Sequence, residues 1–395
     1  MTMRTNRIKW PKRVAHFEPP KQWESMRIAK ELEAKGIKIL HFEEGDFTGY
    51  KTPEVIVEAA INALRAGYTK YVPGPGLPEL REAIAEDMEK RGRPTKPEEV
   101  IVTVGAKFAL TCALLTLIDE GDEVIFPNPG YPPDEFWVRY AGGKPVYAPL
   151  TRPDFQWDID ALQELITDRT KMIIVNTPQR PNGLIVKNVK EIAEVAMDNG
   201  ILVLSDEIFS KMVYPPNKHV SIASVPGMEE QTIVVDTFSK PYIMTGWRIG
   251  YAVAPVEIIE KMSIFLQNSI TNVAAFIQKA AYVALTHPEA QKANRELVKD
   301  LQKKRDRIVN KLRKVPGFKV KEPEGAFYVF PNIEEVGMSS KEFTNYLMEK
   351  YGVAVVAGTA FGSNGEGHIR MTFAVPNEVI DEGVERIKTA VESLA

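Results

Sequence analysis

Short, unbroken apolar runs alternate with longer stretches of helical periodicity along this chain. Seven runs rich in β-branched residues stand out: Val100–Thr103, Glu123–Phe126, Pro145–Ala148, Lys171–Val175, Ile201–Leu204, Thr232–Val235 and Arg248–Val253. Apolar runs of this length without polar alternation predict strands buried on both faces. Amphipathic segments separate several of them. Ala106–Ile118 ends near Gly121, and Val186–Asn199 is closed by Gly200, a residue suited to a left-handed helix cap. Strands alternating with helices predict an α/β fold, a mostly parallel seven-stranded sheet flanked by helices over residues 48–284. A smaller α+β unit is expected over residues 285–395. It opens on a charged helical pattern from His287 to Val315, stopped by Pro316-Gly317. Strands are expected at Phe318–Lys321, Gly325–Phe330 and His368–Phe373, with helices near Ser340–Tyr351 and Asn377–Leu394. Residues 1–47 are expected to form an arm that joins the smaller unit or reaches a partner chain.

Composition narrows the function classes. A chain of 395 residues exceeds one ordinary core and suggests two or three units. Fifty basic residues face 53 acidic ones with no long basic run, which argues against a nucleic-acid partner. No apolar stretch approaches the roughly 20 residues that cross a bilayer. The basic Met1–Trp10 stretch lacks the apolar centre of a signal peptide. The sole cysteine, Cys112, lies in an apolar run and reads as a buried structural thiol in a reducing compartment. The expected location is cytoplasmic. The five histidines show no ligand spacing, so no metal site is expected.

Ligands of open parallel sheets gather at the carboxyl ends of the strands, so the residues just past each run carry the candidate chemistry. Gly105-Ala106-Lys107 opens a helix and could seat a phosphate on free N–H groups, or be a tight turn. Asp206 ends the fifth run and could be an anion partner or a helix cap. Lys240 follows the sixth. Burial there would disfavour its ammonium and free an amine for attack on an aldehyde; a surface loop is the plainer reading. Arg248 could fork onto a phosphate, and Tyr131 could stack on a flat ring. Together these offer a phosphate seat, an anion, an amine and a stacking face, which a phosphorylated pyridine aldehyde matches.

The block Ser239-Lys240-Pro-Tyr-Ile-Met-Thr245-Gly-Trp-Arg248-Ile-Gly-Tyr, with Ser205-Asp206-Glu207-Ile upstream, resembles the class I/II aminotransferases of pyridoxal 5′-phosphate (PLP) fold type I. The resemblance runs from about Gly45 to the C-terminus and implies roles for single residues. Lys240 matches the Schiff-base lysine that also shuttles the substrate proton. Asp206 matches the carboxylate that keeps the pyridine nitrogen protonated. Arg248, Thr237 and the amides of Ala106 and Lys107 match phosphate ligands, and Tyr131 matches the stacking aromatic. Tyr71 matches a tyrosine that reaches the neighbouring subunit's phosphate, which implies a homodimer with shared sites. Arg370 matches the clamp on the substrate α-carboxylate, where a bidentate fork suits arginine.

Two departures fall on one cofactor atom. Arg180 stands where the family has the asparagine of Asn-Pro-Thr-Gly, and Phe209 where it has the tyrosine of Asp-Glu-x-Tyr. Both family side chains hydrogen-bond the phenolic oxygen. Arg180 could face that oxygen with its charge, or swing to solvent or to a substrate carboxylate, with Asn182 or water filling in. Glu43-Glu44-Gly45-Asp46-Phe47 replaces Gly-Glu-Pro-Asp-Phe, which leaves Gly45 as the expected contact for the substrate carboxylate. The function the resemblance implies is transamination between an L-amino acid and a 2-oxo acid. Lys107 hints at an aspartate or glutamate substrate, because a lysine there reaches the distal carboxylate in one aspartate-aminotransferase subgroup. β-Elimination, racemisation or amino-acid oxidation is the alternative, given Arg180 and Phe209.

Overall fold

The structure, a computed structural model, describes Pro11 and residues 18–394. The Met1–Trp10 stretch lies outside the described residues. A short strand, β1 (Leu40–His41), precedes the seven apolar runs, which become β2 (Val100–Thr103), β3 (Glu123–Asn128), β4 (Lys144–Pro149), β5 (Thr170–Asn176), β6 (Leu202–Asp206), β7 (Thr232–Thr237) and β8 (Gly250–Val253). All seven join one sheet in the order β2-β8-β7-β6-β5-β3-β4. Its pairs are parallel except for β8, which runs antiparallel to both neighbours.

Alternate residues of each strand feed opposite layers, which is why the runs carry no polar face. Ile101, Val124, Phe126, Met172, Ile174, Leu204, Ile233 and Ala252 pack with Leu110, Leu114, Met262 and Leu266 on one side. Those last four lie on the helices Gly105–Leu117 and Val256–Ile270. On the other side, Ile173 and Val203 meet Ile192 and Ala196, while Val102 and Val234 meet Ile56 and Leu80. Cys112 is buried in the helix behind β2, and burial pushes its thiol up to about 12.

Beyond the sheet, the helices Pro288–Leu312, Ser340–Tyr351 and Asn377–Glu392 enclose β9 (Tyr328–Val329), β10 (Val353–Ala354), β11 (Val356–Ala357) and β12 (Ile369–Thr372). The middle helix starts on a capping box, Ser339 with Glu342, and stops at left-handed Gly352. β1 pairs in parallel with β10, Leu40 opposite Val353. Phe318–Lys321 departs from the expected strand. It makes only a single bridge, Lys319 with Asn332. The Phe318 N–H is taken by the Val315 carbonyl in the turn that ends the helix, so the pairing does not extend.

A buried ionic network ties the helix Pro78–Lys90 to the ends of β6 and β7. Arg91 donates to Glu207 and, at 2.8 Å, to Asp236. Glu207 also accepts from Ser205 (2.8 Å) and Ser221 (2.6 Å) and lies 2.9 Å from His219 Nε2. Burial lifts the Glu207 carboxyl, but His219 and Arg91 outweigh it and hold it at about 2. The stability this carboxylate contributes is complete above its unfolded pKa near ~4.3 and is lost as pH falls through about 2. Arg91→Ala takes from buried Asp236 its ion-pair partner and leaves Glu207 with His219 alone. It is expected to cost about 3–5 kcal/mol in urea unfolding and to move acid unfolding to higher pH. An unchanged urea midpoint would show the network to be energetically idle.

Candidate active site

The parallel strands end on one edge of the sheet, and the reversed β8 begins there. Ala106 and Lys107 therefore follow β2, Tyr131 follows β3, Arg180 follows β5, Asp206 ends β6, and Lys240 lies just past β7. Arg248 reaches the same edge because it precedes its strand. The register keeps them together: Gly250 pairs with both Thr103 and Thr237, and Asn176 pairs with Asp206. Ala106, Lys107, Tyr131, Arg180, Asp206, Thr237, Lys240 and Arg248, with Gly45 and Arg370, line one cavity of about 240 Å³. Tyr71 is the exception among the expected site residues. It is 86% exposed and outside the cavity.

At one end is an anion cradle. The helix Gly105–Leu117 starts without a side-chain cap, so its first-turn N–H groups remain for a ligand. Gly105 has φ +73°, and a Cβ there would stand 2.4 Å from an Arg248 guanidinium nitrogen. A Cβ on Gly250 would stand 2.6 Å from the Ala106 nitrogen. The two glycines let an arginine and a bare helix end share one corner. Arg248 Nη1 donates to the Thr245 carbonyl at 2.6 Å, and the Thr237 hydroxyl lies 2.9 Å from that of Ser239.

The floor is Asp206, which is fully buried. Its Oδ1 accepts from the Ile208 N–H at 3.3 Å, but no helix follows, so it caps none. Arg180 donates to its Oδ2, and the Arg180 guanidinium lies 3.6 Å over the Tyr131 ring. At 12% exposure, the Arg180 side chain is turned inward and away from solvent. Asn182 does not line the cavity. Its amide is bonded to Gln179 Oε1 and the Leu184 N–H, each at 2.9 Å. Phe209 does line it, edge-on to Phe327 and Tyr328 at 5.6 and 6.0 Å.

The Lys240 amine donates to the Gly45 carbonyl at 2.5 Å. Gly45 thus offers an acceptor at this point, where an amide donor to substrate was expected. Burial lowers the Lys240 amine to about 8; the nearby Arg180, Arg248 and Arg370 lower it too, against Asp46. Arg370 donates to the Glu43 carbonyl and sits 4.5 Å from the Tyr328 ring and 5.2 Å from that of Phe361, with its Nε unpartnered. The Lys107 ammonium lies 5.7 Å from the Trp23 ring.

Trp23, Glu43, Ser239, Tyr328 and Phe361 also line the cavity and were not expected there. Ser239 adjoins the lysine and could have been found from that alone. Tyr328 is the polar tip in an otherwise apolar run, a weaker signal. Trp23 and Phe361 reach the cavity only through tertiary packing.

The donor set fits pyridoxal phosphate. The glycine-lined corner admits a phosphate, the buried carboxylate suits a protonated ring nitrogen, Tyr131 offers a flat face, and the Lys240 amine is depressed towards reactivity. Comparison with known proteins agrees. The family model for aminotransferase class I and II matches residues 37–387. A probable aspartate/prephenate aminotransferase of Aquifex aeolicus is 40% identical over 97% of this chain and 98% of its own. An aspartate aminotransferase of Pyrococcus horikoshii is 42% identical over 87% and 88%. The structure of the Thermus thermophilus aspartate aminotransferase with maleate superposes with a TM-score of 0.92 at 34% identity, covering 97% of this chain and all of that one. With family model, relatives and site geometry in agreement, this chain belongs to the class I and II aminotransferases, PLP-dependent enzymes of fold type I that move an amino group between an amino acid and a 2-oxo acid.

Proposed function

We propose that this enzyme transaminates aspartate or glutamate, with Lys240 as the covalent anchor of the cofactor and Arg370 and Lys107 as the two carboxylate grips. One observation carries the reading. Five cations, Lys107, Arg180, Lys240, Arg248 and Arg370, line a cavity whose anions are Asp206 and Glu43. Such a cavity favours ligands with several negative groups, as a phosphate and a dicarboxylic acid together supply. The relatives named for aspartate and the Thermus structure with maleate, a dicarboxylate, support the same choice.

PLP, when bound, supplies an aldehyde and an electron-accepting ring that stabilises negative charge at the substrate Cα. The chain's own residues do the rest. The first-turn amides of Ala106 and Lys107, Thr237 and Arg248 would hold the phosphate, Asp206 would hold the ring nitrogen's proton, and Tyr131 would stack on the ring. Arg370 would orient the α-carboxylate by a two-point grip. Its packing against Tyr328 and Phe361 restricts the fork's rotation. Trp23 and Phe361 add apolar wall to the cavity. A lysine near 8 leaves roughly a tenth of its amine unprotonated at pH 7, enough to attack an aldehyde and later to move the Cα proton. Tyr71, exposed in the single chain, supports a homodimer in which it completes the partner's phosphate seat.

Borohydride reduction of the loaded enzyme should leave a pyridoxyl group on Lys240, read by peptide mass. Lys240→Ala should lose that adduct and about 10²–10⁴-fold or more of its turnover. An adduct on another lysine would refute the assignment. The rate of cofactor attachment should rise with pH and level off above about 8, since only the free amine attacks and its pKa is lowered. A rise centred near that of an ordinary lysine would count against burial as the cause. Lys107→Ala should lower kcat/KM for aspartate about 10–100-fold, the worth of one charge-assisted hydrogen bond, and leave alanine largely unaffected. Equal losses on both substrates would remove Lys107 from side-chain recognition.

A further inference from the structure

Asp206 and Tyr131 already share a partner in this structure. The carboxylate is fully buried and receives the Arg180 guanidinium, and the same flat cation lies 3.6 Å over the tyrosine ring. A buried carboxylate without a cation is costly, so this contact has a clear physical cause. Burial pushes the Asp206 carboxyl up, and Arg180 is the leading influence that draws it back. A protonated pyridine ring would present the same features to the same two groups: a plane for the tyrosine and an N–H for the carboxylate.

We propose that Arg180 competes with the cofactor ring for one seat, so that loading the enzyme requires its guanidinium to leave Asp206 and Tyr131. The proposal rests on the reading that these two residues receive the ring. Two features make the displacement feasible. Arg180 is fixed through its backbone, whose N–H donates to Asn176 Oδ1 at 2.6 Å, so the side chain can turn while its anchor stays. Its Nε is buried without a partner, so the seated guanidinium is only partly satisfied.

The seat is then never without a counter-charge. Arg180 stabilises the cofactor-free protein and weakens cofactor affinity by the same amount, because a contact made only in the free form opposes binding. The asparagine usual at this position is uncharged and cannot be the ion-pair partner of Asp206.

The test compares wild type, Arg180→Gln and Arg180→Ala, each with and without cofactor. PLP affinity is measured by quenching of tryptophan fluorescence and by visible absorbance, and stability by thermal unfolding. Both variants should bind PLP about tenfold or more tightly, matching the loss of one charge-assisted hydrogen bond from the free state. Their cofactor-free midpoints should fall further than their loaded ones. Arg180→Gln keeps an amide donor for Asp206 and serves if the cofactor-free alanine variant does not fold. Unchanged affinity with equal falls in both midpoints would overturn the proposal. So would weaker binding, which would make Arg180 a cofactor ligand. Failure of PLP to bind wild type and every variant would sink the underlying cofactor reading; normal binding insensitive to Arg180 would sink this proposal alone.

Discussion

A carboxylate held out of water at the end of β6 is the constraint on which the site is built. Asp206 cannot stay ionised there without a positive group, and the fold surrounds it with candidates. The neighbouring Glu207 faces the same problem on the other side of the strand end and solves it permanently with Arg91 and His219. One of two adjacent acids is therefore locked into structure, and the other is left facing a cavity. Both are equally buried, and only their partners and the space beside them differ.

Much of the sheet was legible because its strands are buried on both faces. Val100–Thr103 and Thr232–Val235 have no polar alternation, and each forms a strand near its expected limits. The reversal of β8 was not legible, since an apolar run reads the same in either direction. Arg248–Val253 was expected as one strand, but Arg248 adopts φ +56° and stands outside it. That departure puts the guanidinium against Gly105. The smaller strands were overdrawn: Gly325–Phe330 shrinks to Tyr328–Val329, because Ala326 takes φ +56° and breaks the extended run.

The cavity was legible where chemistry follows directly on a strand, as with Asp206, Tyr131 and Lys240. It was illegible where distant segments close over it. Trp23 arrives from a helix some two hundred residues upstream of Lys240, and Phe361 from a turn far downstream. The orientation of Arg180 could not be read either. Its position was clear, but its place against Asp206 and Tyr131 is set by tertiary packing.

The reversed strand also bears on how the molecule is made. β2 emerges early from the ribosome, yet its neighbour in the sheet is β8, with Val100 opposite Val253. About 150 residues must be added before that edge is covered, a long loop to close. The corner that gathers Gly105, Arg248 and Gly250 is therefore absent from any nascent chain shorter than that. A stalled or truncated product carries an open sheet edge and no anion cradle.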